Sequence, residues 1–161
     1  NKGEKNMFSY QTYNTFKEAI NKLDFRYEEN NEKGTILIPN LGIDSSIKSI
    51  TTLIEVRESD CIISAIYDNF KVSNSNMANV SELLMRINNA YYFPMFVLSY
   101  DENIIFCKQR YDFVGELINV QRAIDVFGNL ALHMQTCGNG IMAVSLGLQS
   151  PNDAAESIIN E

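Results

Sequence analysis

The residues of this 161-residue chain best suited to acid–base, nucleophilic or metal chemistry are one histidine, three cysteines and a few close-set carboxylates. A general base must lie within hydrogen-bond reach of the proton it moves, and a nucleophile needs a base beside it. His133 has no carboxylate at a spacing that would orient it, and reads as a packed residue of a long helix. With only that histidine available, a thiol has little to activate it. Cys61, Cys107 and Cys137 stand far apart in periodic apolar stretches, without CxxC spacing. That pattern argues against a disulfide framework or a zinc site. They read as reduced, half-buried small hydrophobes, with Cys137, next to Gly138, the most exposed of the three. Thr136 to Gly140 carries two glycines but no Lys-Ser/Thr end and no preceding strand, so it reads as a helix cap and not a phosphate cradle. Asp101-Glu102-Asn103 offers too few oxygens for calcium and reads as a solvated turn. Glu55, Glu58 and Asp60 read as an acidic sheet edge that discourages strand pairing. The expectation is a protein that is not an enzyme, with no cofactor and no metal.

The elements that position these groups are most legible between residues 79 and 112. Asn79-Val80-Ser81-Glu82 has the form of a capping box, followed by Val80, Leu83, Leu84 and Ile87 on one helical stripe. Pro94 stops the helix and forces an extended backbone at Phe93. Met95 to Tyr100 and Ile104 to Tyr111 then form a hairpin of β-branched and aromatic strands. At the junction, Tyr91-Tyr92-Phe93-Pro94-Met95-Phe96 is a run of six bulky residues that cannot all face one core. Two or three must remain at the surface, where Tyr, Phe and Met favour binding patches. Tyr91, Tyr92, Phe93, Met95 and Phe96 are therefore the candidate protein-binding residues.

Elsewhere, Phe16, Ala19, Ile20 and Leu23 give a first helix with Thr15 and Glu18 as its capping box. Phe25 to Ile38 reads as an opening strand or hairpin, residues 47–57 alternate as a strand, and Cys61 to Tyr67 is apolar on both sides, as a central strand would be. Val120 to Met134 holds a long helical stripe, punctuated at its end by Gly138 and Gly140. Ile141 to Leu148 reads as a short helix or packed loop. Ser150-Pro151-Asn152-Asp153 starts a last short helix or tail over residues 149–161. Residues 1–9 read as disordered, and residues 10–148 as one domain. The order α-β-β-β-α-β-β-α predicts an α+β fold, an antiparallel sheet of about five strands packed against helices.

A net charge of −7 would repel a phosphate backbone, which excludes nucleic acid as a partner and suits a basic or mixed-charge polypeptide. No stretch approaches the roughly 18 apolar residues of a membrane span. With no secretory signal visible and no disulfide pattern, the expected location is cytoplasmic, although the chain begins at Asn1 and its native start stays open.

The segment Glu82-Leu83-Leu84-Met85-Arg86-Ile87-Asn88, the strand pair within Phe96 to Ile105 and the long helix from Val120 resemble the bacterial YbjN family, within the type III secretion chaperone-like fold. Asn88 stands where that family's asparagine would, whereas Pro94 replaces a common glycine. The resemblance implies an acidic, non-enzymatic protein, often a homodimer, that binds other polypeptides or takes part in regulation, as a chaperone or sensory transduction regulator. Its mode would be an apolar groove holding a partner segment extended. The alternative is a regulator that senses a small molecule in a pocket between sheet and helices.

Overall fold

The computed structural model describes residues 7–113 and 115–160. Much of the expected disordered segment falls on residues 1–6, outside the described residues. Of the remainder, Phe8 packs against the rings of Tyr10 and Tyr13, and the Ser9 hydroxyl accepts from the Thr12 N–H to cap the first helix.

The elements run α1 (Tyr10–Lys22), β1 (Glu28–Asn30), β2 (Thr35–Gly42), β3 (Ser49–Val56), β4 (Asp60–Tyr67), α2 (Met77–Tyr91), β5 (Met95–Ser99), β6 (Ile104–Asp112), α3 (Val120–Ser145) and α4 (Pro151–Ile159). All strand pairs are antiparallel, in the order β1-β2-β3-β4-β6-β5. The α+β architecture is as expected, with six strands among the described residues where about five were anticipated. The extra strand is the short polar β1, which has no buried side chain and hence no apolar signature.

One sheet face is covered. Ile50, Thr52, Ile54 and Val56 of β3 are buried, as are Cys61, Ile63, Ala65 and Tyr67 of β4, while the residues between them are half-exposed. This is the period-2 signature of a sheet with helices on one side. The cover is α1 on α3, α3 on β4 and β6, and α2 with α4 beside α3. Cys61 to Tyr67 is central, as predicted, but Ile62 and Ile66 face the uncovered side.

Helix boundaries differ from expectation where tertiary contacts override local signals. The first helix starts at Tyr10, capped by Ser9, because Tyr13 as well as Phe16 enters the core. The second starts at Met77, continuing a 3-10 turn over Asn74–Asn76; the Asn76 amide donates to the Ser145 carbonyl at 2.9 Å instead of capping. Gly138 and Gly140 are not punctuation. They lie inside α3, which runs unbroken through the expected break to Ser145. A Cβ on Gly138 would collide with the buried Ser45 side chain, and one on Gly140 would come within 2.8 Å of Ile158 Cδ1. At Gly138 glycine allows this close approach and makes no turn.

Asn88 joins α2 to the sheet. Its Nδ2 donates to the Phe96 carbonyl at 2.9 Å and its Oδ1 accepts from the Phe96 N–H at 2.8 Å. Both outward backbone groups at the middle of the edge strand β5 are thereby satisfied, and the edge is closed at that point. Asn88→Ala removes both bonds and leaves two part-buried backbone groups unpaired, so it should lower unfolding free energy by about 2 kcal/mol in urea denaturation.

Candidate functional site

The run from Tyr91 to Phe96 divides between core and surface. The alternation of β5 turns Phe96 inward, where it is 3% exposed and stacks on Tyr67 and His133. Phe96 is thus corrected from candidate surface residue to core residue. Tyr92 and Phe93 are 71% and 64% exposed, and Tyr91 and Met95 are 39% and 40% exposed. Val97 continues this apolar surface along β5, a residue the sequence reading missed because strand parity there was open.

The exposed rings are held in place. The Tyr91 hydroxyl donates to the Ile158 carbonyl at 3.0 Å, and its ring meets His133 edge-on. Tyr92 adopts φ +61° and ψ −51°, and the Phe93 N–H donates to the Tyr91 carbonyl at 2.7 Å. That is a γ-turn with positive φ, a costly conformation for a bulky residue that persists only where the surroundings impose it. Phe93 precedes a cis Pro94.

Behind these rings lies a cleft of about 490 Å³ between α3, the end of β6 and the Tyr91–Pro94 segment. Tyr91, Phe93, Tyr111 and Leu132 supply its apolar walls; Gln109, Arg122, Asn129, His133 and Thr136 supply polar groups. No acidic side chain among the described residues lines it. The Arg122 guanidinium sits 6.0 Å over the Tyr111 ring and has no salt-bridge partner among the described residues.

The cysteines and the carboxylates lie away from the cleft or in packing roles. Cys61, Cys107 and Cys137 are free and fully buried, not half-buried, and Cys137 is as enclosed as the others because α3 continues past it. Burial pushes the Cys61 and Cys137 thiols up to about 12, and that of Cys107 higher still. Asp60 lies in a central strand, not at an acidic edge, and is buried against Arg57 and Arg110, each at 2.6 Å. Asn103, in the turn that begins with Asp101 and Glu102, donates to the Val72 carbonyl at 3.1 Å. Among the described residues, no three His, Cys, Asp or Glu side chains gather as metal ligands.

His133 is half-buried between the Phe96 and Tyr91 rings, with Nε2 shielded and unpartnered among the described residues. Burial lowers its pKa below the ordinary 6.5. Below that pH the unfolded chain takes up the proton first, so His133 makes the fold lose stability as pH falls from about 6.5 toward its depressed value. Urea midpoints at about pH 7.5 and pH 5.5 should therefore fall more in the native chain than in His133→Gln.

No family model matches the chain, and no curated relative matches it by sequence. Among solved structures, the chain is similar to the crystal structure of YbjN from E. coli, described there as a candidate transcription regulator. The identity is 10% and the TM-score 0.51, over 91% of this chain and 88% of that one. Among the described residues no helix is long and apolar enough to cross a membrane. The likeness establishes a YbjN-like fold.

Proposed function

We propose that the chain is a non-enzymatic recognition domain that binds a polypeptide partner through the aromatic surface at the α2–β5 junction, in a regulatory or chaperone-like role. The observation that carries this reading is the exposure of Tyr92 and Phe93, two large rings on a backbone fixed by a γ-turn, the Asn88 clamp and the Tyr91–Ile158 bond. Rigid aromatic groups lose little conformational entropy on binding and supply much of the energy at interfaces. Three buried, unpaired thiols fit a reducing compartment, which supports a cytoplasmic location. Self-association as a homodimer would use the same kind of surface.

A second reading, a regulator that senses a small molecule, is favoured by the cleft behind Phe93, with polar groups converging on aromatic walls. A panel of metabolites that raises the melting temperature through that cleft would select it.

The double substitution Tyr92→Ser, Phe93→Ser removes exposed rings and leaves the core intact. Affinity capture from the source cell and sedimentation should show partner or self-association weakened by about tenfold or more, with thermal unfolding unchanged. Equal capture and sedimentation by the native and substituted chains would reject this surface.

A further inference from the structure

The ladder between β5 and β6 stops short. Met95 pairs with Lys108, the last rung, yet β6 continues to Asp112. Beyond Lys108 the strand is paired only on its β4 side, from Gln109 opposite Ile63 to Asp112 opposite Asp60. Two observations fix which backbone groups face the vacated side. The Phe113 N–H donates to Ser59 next to β4, so odd-numbered residues of β6 bond toward β4. Phe96 bonds outward to Asn88, so Met95 and Val97 bond inward to Lys108 and Phe106, the even-numbered residues. The N–H and C=O of Arg110 therefore point into the space where a continued β5 would lie, and no backbone partner fills it among the described residues. The chain leaves that track through the γ-turn at Tyr92.

The opposite pleat of the same stretch carries Gln109 and Tyr111 into the cleft under this gap. A segment placed beside Arg110 would direct alternate side chains into a space walled by Phe93, Tyr111 and Leu132, with Arg122 as its charged group. In a chain with 20 acidic and 13 basic residues, a cleft with no carboxylate and one unpaired arginine among the described residues complements an acidic group.

We propose that the unpaired end of β6 and the cleft beneath it form a strand-addition slot for an extended peptide bearing an acidic side chain next to a large apolar one. The inference rests on the recognition reading above and adds where and how the partner lies. The partner's backbone pairs with Arg110, its acidic side chain meets Arg122, and its apolar side chain packs against Phe93 and Tyr111. The slot spans about four residues, roughly 13 Å.

The test is to pan a phage library of random nine-residue peptides on the full chain, then to measure synthetic versions by fluorescence anisotropy. The slot predicts a shared acidic residue. It predicts binding weakened about tenfold or more by Arg122→Glu, and recovered in that variant when the peptide's acid is changed to lysine. N-methylation of the peptide should abolish binding at the backbone position that pairs with Arg110 and be tolerated at its neighbours. Arg122 is exposed, and a carboxylate in the first turn of α3 is favourable, so Arg122→Glu should not lower the melting temperature. Peptides that ignore both Arg122→Glu and N-methylation but lose affinity on Tyr92→Ser, Phe93→Ser would overturn the slot and leave the recognition surface standing. Enrichment of no peptide would also overturn the slot. Peptides indifferent to all these changes would remove both readings.

Discussion

The seating of α3 on the covered face of the sheet is the constraint on which the other features rest. At Gly138 the helix comes too close to Ser45 for any side chain, and the Ser45 hydroxyl is itself held by the Ile47 carbonyl at 2.8 Å. The buried Tyr67 hydroxyl donates to the Met134 carbonyl at 2.8 Å, one turn earlier. Gln135 and Asn139 accept from the backbone N–H groups of Asp44 and Ser46, stitching the helix to the loop between β2 and β3. Two residues after Gly138, Gly140 lies against the end of the Ile158 side chain of α4. Ile158 in turn accepts from Tyr91, which fixes the start of the aromatic segment. The route from a close helix–sheet approach to an exposed recognition surface is thus a chain of direct contacts.

The same packing explains the behaviour of the titratable groups. Desolvation raises the three thiols and lowers His133, in each case favouring the neutral form. Asp60 is buried in a central strand with two arginines against it. Arg122 borders the cleft and rests on an aromatic ring, with no carboxylate partner among the described residues.

Much of the fold was legible because its signals are local. The stripes of α2 and α3, the alternation of β3 and the Ser150-Pro151 start all lie where residue type and spacing place them. Signals that depend on distant partners were not legible. Gly138 and Gly140 look like helix stops until Ser45 and Ile158, distant in sequence, are brought against them. Cys137 looks exposed beside a helix end that does not exist. Asp60 looks like part of a surface acidic cluster until Arg110, fifty positions on, reaches it. At the site, the exposure of Tyr92 and Phe93 follows from crowding alone, but the inward turn of Phe96 depends on strand parity. The cleft needs the vacated end of β6, and no residue pattern encodes where a ladder stops.

The most direct test of this account is the stability of Gly138→Ala. A single methyl group at a site where α3 touches Ser45 must displace helix or loop, and should cost about 2 kcal/mol in urea denaturation, with faster amide exchange in α4. Unchanged stability and unchanged exchange would mean that α3 does not seat this closely, and the chain of contacts from Gly138 to Tyr91 would be broken at its first link.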